Sequence, residues 1–323
     1  MSVMNVRRRL IPAAAAASLG LGALTACSSD SAATGNTDKF DVVASFYPMA
    51  FLAQQIGGDH ANVTSLTEPG QEPHDLEIST KQRAQLEEAD AALYLKGLQP
   101  AVDEAVGQTG IKTKIDAATL THLEDHGTGG HSHDGEEGHS EEGHSEEDEH
   151  GRDPHVWLDP VKYAEIAQGV GKAFEKADPD HAADYKKNTE ALVTKLKGLD
   201  GDFENGLKNT KTKVFFTNHA AFGYLAERYG LTQEAISGVD PDSEPSGARV
   251  RELQQEAKAD GVTTVFYETL VSDKTAKTLA RDANLKTDVL DPIEGITDTS
   301  RGDDYFQVME ANLKALRTAL GAK

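Results

Sequence analysis

Three histidines in this chain stand at positions where an imidazole could bind a metal ion. His74 and His155 each follow a proline, in the tripeptides Glu-Pro-His and Asp-Pro-His, and His219 follows a short apolar run. Proline fixes its own φ and restricts the residue before it, so both loops should be stiff and hold the next side chain in place. A single loop histidine is more commonly a cap than a ligand, but three at comparable positions favour one shared metal site.

Two carboxylates could complete such a site. Asp291 and Glu294 lie in an Asp-Pro-Ile-Glu sequence that follows an apolar run. Three imidazoles and one carboxylate form a four-coordinate site that suits zinc first. Imidazole also suits copper, nickel and iron, whereas manganese prefers more oxygen ligands. The residue types alone leave open both the metal and the choice between the two carboxylates.

A second group of histidines lies in a repetitive segment, residues 126–151. The segment repeats Gly-His-Ser-Glu-Glu, and the stretch 124–150 contains no lysine or arginine. It shows no hydrophobic periodicity, so it buries too little apolar surface to offset the entropy of ordering, and we predict disorder. The segment could bind metal weakly, or it could be only a solvated acidic spacer. Its histidines are His126, His131, His133, His139, His144 and His150.

The rest of the chain alternates strand and helix patterns, which predicts parallel sheets with helices on their faces. In such doubly wound α/β sheets, ligands bind beyond the carboxyl ends of the strands, where His219 and Glu294 stand. In the first half, strands are expected at 40–46, 62–66, 91–95 and 112–116, and helices at 48–56, 82–88 and 99–106. In the last third, strands are expected at 213–216, 233–237, 262–267 and 286–290, and helices at 220–229, 247–259, 273–283 and 304–320.

Two further helices are predicted between these halves, at 161–177 and 181–207. A helix of about 25 residues is about 38 Å long, which is longer than one small lobe needs. We therefore predict an N-terminal lobe at 40–180, a rigid linking helix at 181–207 and a C-terminal lobe at 208–323.

The N-terminus has the pattern of a secretory signal, residues 1–26. Three arginines at 7–9 precede an apolar run that is short for a membrane-spanning helix. The run ends in Leu-Thr-Ala-Cys, which looks like the lipobox of bacterial lipoproteins and marks Cys27 for lipidation. The alternative is a cleavable signal followed by a free cysteine. Small polar residues at 27–39 then predict a flexible tether.

Composition excludes several classes of function. The chain has 323 residues and a formal net charge of −22, which argues against nucleic-acid binding because that requires a basic face. Cys27 is the only cysteine, so an intrachain disulfide and a thiolate metal site are both excluded.

Four motifs together resemble the substrate-binding lipoproteins of bacterial zinc and manganese ABC importers, the ZnuA/AdcA/TroA-like family. They are Glu-Pro-His-Asp-Leu-Glu at 72–77, Asp-Pro-His-Val-Trp-Leu-Asp-Pro at 153–160, Thr-Asn-His-Ala-Ala-Phe-Gly-Tyr at 217–224 and Leu-Asp-Pro-Ile-Glu-Gly at 290–295. The resemblance covers nearly the whole mature chain. It implies two α/β lobes joined by a long rigid helix, with the metal between the lobes.

The resemblance also implies roles for individual residues. His74, His155 and His219 would be the imidazole ligands, and because manganese-type relatives tend to carry a carboxylate at the third position, the chain looks like the zinc type. Glu294 would be the fourth ligand, and Asp291 is the alternative. If Glu294 is the ligand, Asp291 would brace the loop. Glu77 and Asp159 are candidates to orient the imidazoles.

The function implied is that of an extracytoplasmic lipoprotein, anchored to the cell membrane through Cys27. It would capture Zn²⁺ and deliver it, as a monomer, to an ABC permease with its ATPase subunit. The histidine-rich segment lies where zinc-type relatives carry an accessory loop. Alternatives are a manganese-preferring importer component, a metal-storage or adhesin lipoprotein, and a secreted zinc hydrolase. The chain contains neither His-Glu-x-x-His nor Gly-x-Ser-x-Gly, which argues against the hydrolase.

Overall fold

The first lobe is built on a four-stranded parallel sheet. The computed structural model describes residues 39–126 and 152–323 of the chain. The strands run in the order β2-β1-β3-β4, so the chain leaves β1 in one direction and returns to extend the sheet in the other. The elements are β1 (Phe40–Ala44), α1 (Tyr47–Gly57), β2 (Ala61–Ser65), α2 (Thr80–Glu88), β3 (Ala91–Tyr94), α3 (Pro100–Gln108) and β4 (Thr113–Asp116).

Two antiparallel helices follow, α4 (Pro160–Ala177) and α5 (Ala182–Leu207). They approach closely because Gly171 of α4 faces Thr189 of α5, and a Cβ at the glycine would overlap the threonine side chain. The helix α5 has 26 residues and is about 39 Å long. It packs on α1 and α4 of the first lobe and on the last helix of the second lobe. Its buried stripe consists of Tyr185, Thr189, Leu192, Leu196, Leu199, Phe203 and Leu207.

The second lobe repeats the topology of the first, with strand order β6-β5-β7-β8. Both sheets therefore have a switch point beside their first strand, and the prediction of two doubly wound α/β lobes is confirmed. The elements are β5 (Val214–Thr217), α6 (Gly223–Arg228), β6 (Thr232–Ala235), α7 (Gly247–Ala259), β7 (Thr264–Tyr267), α8 (Lys274–Ala283), β8 (Lys286–Val289) and α9 (Tyr305–Ala319).

The predicted element bounds differ from the observed ones by a few residues, most clearly at α6. The sequence predicts a helix from 220, but helical structure begins at Gly223. The amide of Ala220 donates instead to the carbonyl of Gly238, and that of Phe222 donates to the side chain of Gln233. These bonds hold the segment after His219 as an ordered loop.

One apolar core runs through both lobes. It includes Phe46 and Trp157 from the first lobe and Ile293 and Tyr305 from the second, all fully buried. The Trp157 indole donates to the carbonyl of Pro292 at 2.7 Å, and the Tyr305 hydroxyl donates to the carbonyl of Trp157 at 2.7 Å. Separating the lobes would expose these aromatic rings and break buried hydrogen bonds, so the lobes are held together firmly.

Several predictions concern residues outside the described ranges. The signal peptide, the lipidated Cys27 and the tether up to residue 38 lie there, as do five histidines of the repetitive segment. Within residues 39–126 and 152–323, no helix combines the length and the apolar character needed to cross a membrane.

Candidate metal centre

The four predicted ligands come together between the two lobes. His74 lies in the loop after β2, and His155 precedes a short 3-10 turn, Val156–Leu158. His219 follows β5 and Glu294 follows β8, at the carboxyl edge of the second sheet. One donor atom from each of the four residues lies within 4.8 Å of the other three.

Four of the six separations between donor atoms are close to those of a tetrahedral metal site. Oε1 of Glu294 lies 3.3 Å from Nε2 of His74, 3.3 Å from Nε2 of His155 and 3.6 Å from Nε2 of His219. The Nε2 atoms of His155 and His219 are 3.3 Å apart. Four tetrahedral donors at about 2.0–2.1 Å from a zinc ion would stand about 3.3–3.4 Å from one another. The cluster therefore has the dimensions that a first-row divalent ion requires.

Two buried carboxylates orient the imidazoles. Nδ1 of His155 hydrogen-bonds Asp153 at 2.8 Å, and Nδ1 of His219 hydrogen-bonds Glu268 at 2.6 Å. Each bond leaves Nε2 directed into the cluster, the arrangement that metal-binding histidines commonly show. Sequence reasoning missed both residues, although Asp153 opens the Asp-Pro-His motif and Glu268 follows β7 at the same sheet edge.

The residues that we predicted for this orienting role lie elsewhere. Glu77 is exposed. Asp159 caps α4, because its side chain accepts the amide of Val161 at 2.8 Å. The 3-10 turn after His155 directs Asp159 toward the start of the helix and away from the imidazoles.

Asp291 braces the loop that carries Glu294. Its carboxylate accepts the amide of Ile293 at 2.8 Å and the hydroxyl of Thr269 at 3.1 Å. Ile293 has a φ of 60°, which is unfavourable for a β-branched residue. Full burial of its side chain and the bond to Asp291 hold this strained backbone, and strain of this kind is often found at functional sites. The structure thus brings Glu294, and not Asp291, among the histidines.

Burial and neighbouring charges act together on the cluster. Burial alone would lower the pKa of His219. The negative charges of Glu268 and Glu294 outweigh burial, so this pKa lies well above its usual value. Burial raises the pKa of Glu294, but the nearby imidazoles of His155, His219 and His74 hold it well below the usual value. The carboxylate of Glu294 is therefore charged, as a metal ligand must be.

Three carboxylate oxygens around the cluster are buried without a hydrogen-bond partner among the described residues. They are Oε2 of Glu72, Oε2 of Glu268 and Oε2 of Glu294. Burial, together with the charge of Glu294, raises the pKa of Glu72 to about 8. Buried acceptors are normally satisfied, so this excess of unpaired carboxylate oxygen favours a cation in the cluster.

A smaller group of possible ligands lies nearby, formed by Glu124, His126 and Glu227. We predicted that His126 belongs to a disordered segment, but its ring is held in place. Nδ1 of His126 hydrogen-bonds Asp153 at 2.8 Å, and its Nε2 hydrogen-bonds Glu227 at 2.8 Å. The composition of the repeat could not reveal this position, because both partners are distant in sequence.

The fold and the cluster together define a class, the two-lobe α/β solute-binding proteins with a candidate metal centre between the lobes. A family model described as "ZnuA: Zinc-uptake complex component A periplasmic" matches residues 42–319. The chain belongs to this family, which confirms the resemblance seen in the motifs.

Individual relatives agree with this assignment. The chain is 39% identical over 304 residues to the zinc-binding lipoprotein AdcA of Streptococcus pneumoniae; the match covers 91% of the chain but only 58% of that relative. It is 36% identical over 320 residues to the high-affinity zinc uptake system protein ZnuA of Bacillus subtilis, covering 94% of the chain and 98% of the relative. The crystal structure of the Zn(II)-bound ZnuA-like domain of Streptococcus pneumoniae AdcA superposes with a TM-score of 0.71 at 35% identity, covering 87% of the chain and 99% of that domain.

Replacing Glu268 with glutamine should weaken divalent-metal binding by about 10–100-fold, because the His219 ring loses its charged hydrogen-bond acceptor. Competitive titration with zinc against a chromophoric chelator measures this change. Glu77→Gln is the control, since this carboxylate is exposed, lies three residues after His74 and should leave affinity unchanged. Equal affinities in the two variants would contradict the orienting role of Glu268.

Proposed function

We propose that this protein captures Zn²⁺ outside the cytoplasmic membrane and delivers it to an ABC permease for import. The observation that carries the proposal is the set of donor separations around Glu294, which match a tetrahedral zinc site. The ligands are His74, His155, His219 and Glu294. Zinc is the transported substrate in this function, so the site must both bind it tightly and release it.

Three imidazoles and a single carboxylate favour zinc over manganese. Manganese is bound preferentially by carboxylate, carbonyl and water oxygens, whereas imidazole suits zinc. Three of the four donors here are imidazole nitrogens. The names of the two relatives, a zinc-binding lipoprotein and a zinc uptake protein, support the same choice.

The arrangement favours binding over catalysis. A catalytic zinc keeps an open coordination position for water beside a general base. Here four protein donors complete a tetrahedron, and His155, His219 and Glu294 are almost fully buried. Membership of a solute-binding family supports the same conclusion. We therefore propose no hydrolytic activity.

We propose that zinc enters and leaves on the side of His74. The His74 side chain is 12% exposed, whereas those of His155, His219 and Glu294 are fully buried. Residues 66–79, the loop that carries His74, contribute no side chain to the aromatic core that joins the lobes. Release would then involve movement of this loop, with the lobes held together.

We further propose that lipidation of Cys27 anchors the protein to the membrane. There the protein, as a monomer, would deliver zinc to a permease that works with an ATPase subunit. The other histidines of the repetitive segment would collect zinc weakly, and the high negative charge of the segment would raise the local cation concentration. These histidines are His131, His133, His139, His144 and His150. His126 belongs to this accessory set in sequence.

Glu294→Gln should weaken zinc binding by more than about 100-fold, beyond the effect of losing an outer hydrogen-bond partner. The amide keeps the size of the side chain but removes the charge that the ion requires. Asp291→Asn is the matched control, since this carboxylate lies in the same loop and should change affinity by less than about tenfold. Competitive chelator titration compares the two variants. A larger loss in Asp291→Asn would make Asp291 the ligand instead.

Zinc affinity should fall as the pH is lowered, and the fall should begin above the ordinary histidine pKa of about 6.5. Only neutral imidazole binds zinc, and the pKa values of both His155 and His219 are raised, so protons compete at a higher pH than at an exposed histidine. Apparent dissociation constants measured from about pH 8 to about pH 5.5 should rise by about tenfold or more per pH unit. Circular dichroism over the same range checks that the fold persists. A flat profile would contradict imidazole ligation.

Deleting residues 127–150 should remove additional weak zinc binding and leave one tight site. The tight ligands all lie within the described lobes, whereas the deleted segment contains five histidines and nine acidic residues. Titration of the intact and shortened proteins separates the two classes of site by stoichiometry. Loss of the tight zinc on deletion would place the principal site in the repeat and reject the inter-lobe site.

A further inference from the structure

A single glutamine side chain holds the loop that carries His219. Gln233 lies on β6, the strand beside β5, and its side chain reaches the ordered loop that follows β5. Its amide nitrogen donates to the His219 carbonyl at 2.9 Å and to the Thr217 hydroxyl at 2.7 Å. Its amide oxygen accepts the backbone N–H of Phe222 at 3.0 Å. We propose that Gln233 is a positioning residue of the metal centre, which fixes His219 for zinc and so favours zinc over manganese.

This position requires an amide side chain. The carbonyl of His219 can only accept a hydrogen bond and the N–H of Phe222 can only donate one, so the residue between them must offer both a donor and an acceptor. An ionised glutamate has no donor, and methionine offers only a weakly accepting sulfur. Asparagine has the same groups as glutamine but is one methylene shorter. Glutamine therefore suits this position in both chemistry and length.

The backbone and the ring of His219 are both held by hydrogen bonds. The Thr217 hydroxyl donates to the His219 carbonyl at 2.7 Å, so this carbonyl accepts a second bond besides the one from Gln233. Nδ1 of the ring bonds Glu268 at 2.6 Å. Together these contacts leave Nε2 at 3.6 Å from Oε1 of Glu294. A metal site needs its donors held to within about 0.5 Å, so a shift of this loop would misplace Nε2.

The loop that carries His74 is held in a different way. Gln82 joins the two ends of that loop, because its side chain donates to the carbonyl of Leu66 and accepts the N–H of Ser79, both at 2.8 Å. The N–H of His74 itself donates to Glu72, within the same loop, at 3.0 Å. The backbone of His74 is thus bonded to its own loop, whereas that of His219 is bonded to a neighbouring strand. The contrast makes His219 the ligand that stays in place when His74 moves.

Fixing this imidazole should matter more for zinc than for manganese. His219 supplies one of three imidazole nitrogens in the cluster, and imidazole suits zinc, whereas manganese prefers oxygen ligands. Without the bonds from Gln233, the loop would be free to shift and Nε2 would leave the tetrahedral position. The inference rests on the proposed function, since it takes the cluster around Glu294 as the zinc site.

The first test is competitive titration of the full chain with Zn²⁺ and, separately, with Mn²⁺. Gln233→Met keeps the approximate length of the side chain but removes its amide, and it should weaken zinc binding by about tenfold or more and manganese binding by less than about threefold. Gln168→Met is the matched control, because this exposed glutamine bonds a carbonyl of its own helix. The control should change neither affinity.

Co²⁺ provides a second readout, which reports the geometry of the site. Tetrahedral Co²⁺ absorbs visible light much more strongly than Co²⁺ with five or six ligands. The unaltered protein should therefore give strong bands, and Gln233→Met should give weaker ones. Gln233→Asn retains the amide and should lose less zinc affinity than Gln233→Met. If circular dichroism shows that Gln233→Met does not fold, a loss of at least about threefold in Gln233→Asn carries the test.

The outcomes separate this inference from the proposed function. Tight zinc binding that is unchanged in both Gln233 variants, with an unchanged Co²⁺ spectrum, would reject the positioning role and leave the proposed function intact. A lower unfolding temperature with unchanged zinc binding would also reject it, because Gln233 would then only stabilise the fold. Equal losses of zinc and manganese binding would reject the selective role. Absence of tight zinc binding in the unaltered protein would reject the proposed function itself.

Discussion

A buried carboxylate surrounded by three imidazoles is the constraint on which the rest of this structure depends. Burying a lone charge costs several kcal/mol after relaxation. Glu294 avoids that cost because its Oε1 lies 3.3–3.6 Å from three Nε2 atoms. The imidazoles are supported in turn, since Asp153 and Glu268 accept the Nδ1 protons of His155 and His219. The network ends in unpaired carboxylate oxygens, and a divalent cation is the partner that balances them.

The same residues that place Glu294 also join the lobes. The Trp157 indole donates to the carbonyl of Pro292, next to the strained Ile293, and Asp291 holds the amide of that residue. The Tyr305 hydroxyl returns to the carbonyl of Trp157. Wide opening of the lobes would therefore disrupt the ligand loop before it freed the metal. This coupling is the physical reason to expect loop movement at His74 instead of hinge motion along α5.

The sequence alone predicts the fold and the meeting of the four candidate ligands well, because both follow simple rules. Alternating strand and helix patterns specify parallel sheets, and parallel sheets place functional residues after their strands, as with His219 and Glu294. Residue spacing does not specify side-chain direction within a loop. For that reason Glu77 and Asp159 were wrongly expected to orient the imidazoles, and Glu268 was missed.

His126 shows a different limit of sequence reasoning. Average composition places it in the acidic repeat, but its position depends on Asp153, Gly223 and Glu227, which are distant in the chain. Asp153 accepts hydrogen bonds from His126 and His155 with different oxygens, so one buried carboxylate orients imidazoles in both groups of ligands.

The two groups of side chains differ in their exposure to solvent. Glu227 is mostly exposed, His74 is slightly exposed, and the other three principal ligands are buried. Charges attract a cation more strongly as water is excluded, while exchange with solvent becomes slower. Because the other three side chains are fully buried, our proposal for release places the change at His74, the least buried of the four.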